Sequence, residues 1–181
     1  MEKSNIFTIG DYKFEKKIDA KIIQDKVHEL AARITKDYEG KQITYIIVLK
    51  GAFIYASDLI RNIPLRSEIL FIDSKSYGKN FKSTGKVSLN LLNINITGKD
   101  ILIVEDIIDS GKTMKAVMEA LRNLNPASIN LTAIFSKSSL REVELKVKYQ
   151  GFEIPPDFIV GYGLDYAEQG RHLPDIYAKI D

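Results

Sequence analysis

Hydrophobic positions recur along this chain with two periods, and the alternation between them predicts the fold class. Across residues 19–38, Ile23, Val27, Leu30, Ile34 and Tyr38 fall three or four apart, which gives a helix one apolar face. Asp19 stands where an N-cap would, and Gly40 where the helix would stop. Residues 43–49 (ITYIIVL) are instead a nearly continuous β-branched run, as expected of a strand buried on both faces of a parallel sheet. Lys50-Gly51 breaks that run, after which Phe53, Ala56, Leu59 and Ile60 give residues 52–61 helical spacing. A strand is predicted over 67–72. Residues 73–86 (DSKSYGKNFKSTGK) are polar throughout, and a loop of that length is either disordered or functional, often a lid. Strand-like alternation resumes at 87–93 and a turn at 97–99 precedes a buried-type strand at 100–104. A polar loop then leads to a helix over 113–124, ended by Asn125-Pro126. A strand over 128–135 and a polar loop at 136–139 follow, and Pro155-Pro156, Gly161 and Gly163 predict short strands and loops beyond. Strands alternating with helices imply an α/β fold with a mostly parallel central sheet. There is no repeat or linker, and 181 residues suit a single domain, 1–181, with a sizeable core.

Composition removes several function classes. Apolar residues make up 45% and charged residues 28%, an ordinary globular balance. With 26 basic and 24 acidic side chains the net charge is +2, which gives no argument for a nucleic-acid or membrane partner. The absence of cysteine excludes disulfides, thiolate zinc sites and cysteine nucleophiles. His28 and His172, widely separated, give no support for a histidine metal site. The polar start of the chain lacks the apolar core of a signal peptide, and no run approaches the roughly 20 apolar residues of a membrane span. The expectation is a cytoplasmic enzyme or binding protein.

Candidate chemistry concentrates after the strand at 100–104. In open α/β sheets, ligands bind beyond the carboxyl ends of the strands. There Glu105, Asp106 and Asp109 lie within five positions, beside Ser110-Gly111-Lys112-Thr113 at a helix N-terminus, whose free N–H groups suit a phosphate. Gly111-Lys112-Thr113 could end a Walker A loop, but its first glycine would fall at Asp106, and a carboxylate there would face the phosphates. A nucleotide triphosphatase is therefore rejected. A sugar phosphate fits better: the phosphate takes the amides and the ring hydroxyls donate to the acids.

Residues 104–113, VEDIIDSGKT, resemble the phosphoribosyl pyrophosphate signature of the type I phosphoribosyltransferases, most of all the hypoxanthine-guanine branch. That resemblance covers most of the chain and implies the fold of the family, with a small hood built from terminal segments. It implies that Glu105 and Asp106 hold the ribose hydroxyls, directly or through Mg2+, and that residues 109–113 (Asp109, Ser110, Gly111, Lys112 and Thr113) cradle the 5-phosphate. Asp109 would also be the general base near purine N7. Lys50-Gly51 resembles the turn that presents amides to the pyrophosphate, and Ser76-Tyr77 the pair on the mobile lid. Lys137 is similar to the lysine that donates to the purine 6-oxo group, although bacterial members often carry Asp-Lys-Pro where this chain has Ser136-Lys137-Ser138.

The run at 156–177 (PDFIVGYGLDYAEQGRHLPDIY) is the second match. By likeness, Phe158 stacks on the base, Ile159 offers backbone groups to its edge, Asp165 lies near the pyrophosphate metal and Arg171 reaches the pyrophosphate. The residue before that arginine is often aromatic in the family; here it is Gly170. The implied activity is transfer of 5-phosphoribosyl to N9 of hypoxanthine or guanine in purine salvage, by a homodimer or homotetramer. Two other readings meet the same motif. One is a phosphoribosyl-pyrophosphate-sensing regulator that binds nucleic acid, against which the chain has neither a helix-turn-helix segment nor a basic stripe. The other is an enzyme for a different base; Lys137 argues against adenine but not against xanthine.

Overall fold

The computed structural model describes residues 5–73 and 94–180; the expected strand at 87–93 and nearly all of the polar stretch at 73–86, with Ser76 and Tyr77, lie outside the described residues. In chain order the elements are β1 (Ile6–Ile9), β2 (Tyr12–Ile18), α1 (Ala20–Asp37), β3 (Ile43–Leu49), α2 (Phe53–Arg61), β4 (Ser67–Asp73), β5 (Asp100–Ile108), α3 (Lys112–Arg122), β6 (Ser128–Ser136), a 3-10 turn (Ser138–Leu140), β7 (Tyr149–Glu153), β8 (Ile159–Val160) and β9 (Ile176–Lys179).

Five strands form a wholly parallel sheet in the order β4-β3-β5-β6-β7. Tyr45 and Ile47 of β3, with Leu102 and Val104 of β5, pack toward Ile23, Val27, Leu30 and Ile34 of α1. Their neighbours Ile46, Val48, Ile101 and Ile103 pack the other way, toward Met114, Val117 and Leu121 of α3. Both faces of the central strands are thus covered, which is why their sequences are continuous apolar runs.

β5 is longer than its apolar run. Glu105, Ile107 and Ile108 stay in register with Ala133, Phe135 and Ser136 of β6, so the first two acids of the motif sit on the strand's end and not in a loop. Pairing with β6 satisfies the backbone there whatever the side chains are. α3 begins one residue early, at Lys112, behind Gly111 in the left-handed region (φ 79°).

A second sheet, β1-β2-β9-β8, is antiparallel and forms the hood. Its small core joins Ile9 and Phe14 to Val160 and Tyr177. Asp19 does occupy the N-cap position of α1, but its carboxylate takes Lys16 Nζ at 2.6 Å. The cap comes from the far end of the chain, where Asp175 Oδ1 accepts the Ala20 N–H at 2.8 Å and ties the hood to α1. No helix among the described residues is long and apolar enough to cross a membrane.

Candidate active site

The carboxyl ends of β3, β5 and β6 open on one edge of the parallel sheet, where their loops converge. A cavity of about 190 Å³ there is lined by Lys50, Gly51, Glu105, Asp106, Asp165 and Arg171 among others. Three segments far apart in sequence thereby meet in one place.

Close backbone approach makes this convergence possible. The peptide between Leu49 and Lys50 is cis. A Cβ on Gly51 would lie 1.5 Å from Asp106 Oδ2, and a Cβ on Gly163 would lie 2.1 Å from the Gly51 carbonyl oxygen. Both positions need glycine for space, and Gly163 (φ 100°) also for conformation. Gly170 has its own reason: at φ 95° it is buried against Ile9 and Val160, where an added Cβ would come within 3.2 Å of Ile9. An aromatic side chain has no room there.

The Glu105-Asp106 pair is electrostatically unfavourable as it stands. Burial, and then the neighbouring Asp106 charge, push the Glu105 carboxyl well above its ordinary range. Burial also raises Asp106, opposed by its hydrogen bond from the Ile107 N–H (2.8 Å) and by the Arg171 charge. Glu105 Oε2 is enclosed with no partner in the chain. Arg171 supplies the opposite charge of the cavity. It contacts Asp165 Oδ1 at 2.6 Å and Glu168 Oε2 at 3.0 Å, and donates to the Gly163 carbonyl at 2.8 Å, while its Nε is enclosed without a partner. Glu168 also meets Lys50 Nζ at 3.3 Å. It joins the Lys50 turn to Arg171, and no local pattern in the sequence marks it.

Beside this cavity, residues 109–113 turn from β5 into α3. Among the described residues the N–H groups of Gly111 and Thr113 donate to nothing, and the Lys112 N–H makes a long bond of 3.4 Å to Ser110 Oγ. Free amides at a helix start, led by a left-handed glycine, form an anion-accepting nest. Lys112 itself is exposed and paired with Glu142. Lys137 is buried, with Nζ 3.2 Å from Asp109 Oδ1, so the expected specificity residue and the expected base contact each other. Phe158 and Ile159 belong to the hood: Ile159 is buried, while the Phe158 ring is 47% exposed, 5.8 Å edge-on from Tyr166 and 6.4 Å from Phe14. The residues expected on the purine side are therefore divided between sheet edge and hood. His28 and His172 are both exposed.

Known proteins share this fold. The family description "Phosphoribosyl transferase domain" matches residues 16–167. The chain belongs to the phosphoribosyltransferase family. Among relatives, it is 43% identical over 159 residues to a hypoxanthine-guanine phosphoribosyltransferase of Dictyostelium discoideum, covering 85% of this chain and 88% of that one. A Bacillus subtilis protein of the same name is 44% identical over 155 residues, covering 85% and 86%. A crystal structure of a Bacillus anthracis hypoxanthine-guanine phosphoribosyltransferase superposes with a TM-score of 0.83 at 41% identity, over 92% of this chain and 97% of that one. A Leishmania tarentolae structure in complex with GMP gives 0.80 at 27%, over 91% and 95%. In this phosphoribosyltransferase the acids of the signature leave the sheet on β5, and the hood carries the aromatic ring of Phe158.

Proposed function

We propose that this phosphoribosyltransferase is a single-domain purine salvage enzyme that transfers 5-phosphoribosyl from phosphoribosyl pyrophosphate to N9 of hypoxanthine, and of guanine, releasing pyrophosphate. The observation that carries the reading is the meeting of Lys50-Gly51, Glu105-Asp106 and Asp165-Arg171 in one cavity beside the amide nest at 109–113. The names of the relatives favour hypoxanthine over the regulator and xanthine readings.

In this reading Ser110, Gly111, Lys112 and Thr113 bind the 5-phosphate through backbone amides and hydroxyls. Glu105 and Asp106 accept from the ribose hydroxyls, which relieves two buried, mutually repelling carboxylates. Arg171 and the Lys50-Gly51 turn face the pyrophosphate. Phe158 stacks on the base, Ile159 presents backbone groups to it, and Ser76 and Tyr77 serve the lid.

Glu105 and Asp106 offer hard oxygen donors that fit Mg2+, with Asp165 and the cationic Arg171 on the same cavity. Glu105 and Asp106 would hold the cation, since no group of three or more metal-ligating acids, histidines or cysteines occurs among the described residues. When bound, it would neutralise charge on the leaving diphosphate.

The protein's own work is placement and one proton. As N9 bonds to C1 of the ribose, the bond from C1 to the pyrophosphate oxygen breaks and the base gives up its N7 proton. Asp109 accepts or steers that proton, and Lys137 turns from Asp109 to donate to the 6-oxo group. The enzyme is expected to act in the cytoplasm as a homodimer or homotetramer. Asp109→Ala is expected to lower kcat by about 100-fold or more with little change in phosphoribosyl pyrophosphate affinity. Equal loss of both, in initial rates and equilibrium titration, would count against the base role.

A further inference from the structure

Arg141 is a charged side chain at the phosphate loop that the motif does not include. It follows the 3-10 turn after β6, and its side chain covers Gly111: a Cβ on Gly111 would lie 3.0 Å from both Cδ and Nη1 of Arg141. Gly111 is buried beneath Arg141 and Val143. The same segment is tied to the loop by its backbone, where the Glu142 N–H donates to the Ser110 carbonyl at 3.0 Å.

The guanidinium is poorly compensated. Nη2 donates to the hydroxyl of Ser136, which is fully buried, at 2.8 Å, and Nη1 is enclosed with no partner. No ion pair with a carboxylate forms among the described residues. Glu142 pairs with Lys112, and Glu153, which feels the Arg141 field, accepts from Ser138 and Gln150. A neutral hydroxyl as sole side-chain partner leaves a full positive charge against the turn that begins α3.

We propose that Arg141 is a positioning residue for the 5-phosphate: it props the 109–113 loop from beneath and adds attraction for a dianion seated on the loop's amides. Ser136 is the residue that keeps this charge available. The inference rests on the phosphate role given to the 109–113 loop. At a separation of roughly 6 Å and with the screening of bulk water, a dielectric of about 80, one unit of charge changes dianion affinity on the order of tenfold.

The test compares Ser136→Asp, Ser136→Asn, Arg141→Lys and Arg141→Met with the parent full-length protein. Phosphoribosyl pyrophosphate KM, hypoxanthine KM and kcat are measured, with IMP and inorganic phosphate titrated calorimetrically at two salt concentrations. Ser136→Asp and Arg141→Met are expected to raise phosphoribosyl pyrophosphate KM and IMP Kd about tenfold, with kcat and hypoxanthine KM within about twofold. Ser136→Asn, which keeps a neutral partner, and Arg141→Lys, which keeps the charge, should stay within about threefold. A merely structural role would move all parameters together, and Ser136→Asn as far as Ser136→Asp; that result overturns the proposal. So does a folded Arg141→Met with unchanged IMP and phosphate affinity, which keeps the test open if the buried aspartate prevents folding. A parent with no hypoxanthine turnover would overturn the proposed function, whereas intact turnover with indifferent Arg141 variants removes only this inference.

Discussion

Gly163→Ala tests whether the cavity depends on backbone-to-backbone contact. The added Cβ would start 2.1 Å from the Gly51 carbonyl oxygen and 3.3 Å from its carbon. Restoring an ordinary carbon–oxygen contact of roughly 3.2 Å requires movement of about 1 Å. The move cannot be absorbed by a side chain, because both partners are backbone. Gly163 also holds φ at 100°, where an alanine is strained by on the order of 1–3 kcal/mol, and overpacking adds about 1–3 kcal/mol. The sum, about 2–6 kcal/mol, corresponds to a fall of roughly 4–24 °C in Tm for a chain of this size. Function should suffer more specifically. Gly163 accepts from Arg171 Nη1 and donates its N–H to the Arg171 carbonyl, so the shift displaces Arg171 and the Lys50-Gly51 turn together. Misplacing a binding group by about 1 Å can cost on the order of 100-fold, so kcat/KM for phosphoribosyl pyrophosphate should fall by that much. Thermal melting and steady-state kinetics measure both effects. A variant within 2 °C of the parent Tm, by ~1 kcal/mol or less, and within threefold in kcat/KM would refute the contact.

Other perturbations probe the charges and the surface. Lys137→Gln replaces a donor-only ammonium with an amide that can also accept, so the ratio of hypoxanthine to adenine turnover should fall by about tenfold or more; an unchanged ratio in initial rates removes Lys137 from base selection. Glu105 has its folded pKa raised by burial and by Asp106, so its contribution to stability is fully present below its unfolded value near 4.5 and is lost as pH rises through the folded value. Glu105→Gln should therefore be more stable than the parent on the alkaline side, with the two denaturation curves converging toward pH 4.5, and parallel curves would contradict the burial argument. Ile69 and Phe71 of β4, the end strand of the sheet among the described residues, are 44% and 57% exposed, a strip that a second copy could cover; Phe71→Glu should shift sedimentation toward the monomer, and an unchanged mass would move the interface elsewhere.

What could be read in the sequence was what is locally encoded. β3 and the first half of β5 announce themselves because burial on both faces leaves nearly every position apolar. The signature at 104–113 is equally local, and it carried the sugar-phosphate reading by residue type alone. The second half of β5 was hidden because Glu105 and Asp106 look like loop residues, while the ladder to β6 needs only their backbone. The β1-β2 hairpin was missed for a different reason. β1 is only four residues long and β2 is mostly polar around Phe14, and what buries Phe14 comes from Val160 and Tyr177 near the other end of the chain. Arg141, Glu168 and the Gly51–Gly163 contact were equally out of reach, since each matters through a partner far away in sequence.

These long-range features share a physical character. Five enclosed side-chain polar atoms among the described residues have no partner in the chain, in Thr35, Tyr45, Glu105, Arg141 and Arg171. The last three lie in the cavity lined by Lys50, Gly51 and Asp106 or against the 109–113 loop. Each such atom costs about 1–3 kcal/mol relative to a satisfied one, so the chain concentrates its unsatisfied polarity at a single edge of the sheet. A carboxylate among them calls for donors or a cation, the Arg141 guanidinium, which has no carboxylate partner, calls for an anion, and Arg171 Nε is left for one further acceptor. A substrate that carries hydroxyls at one end and phosphates at the other meets both demands in one binding event. The free protein is then less stable than its fold would allow because the same groups are held ready for that ligand.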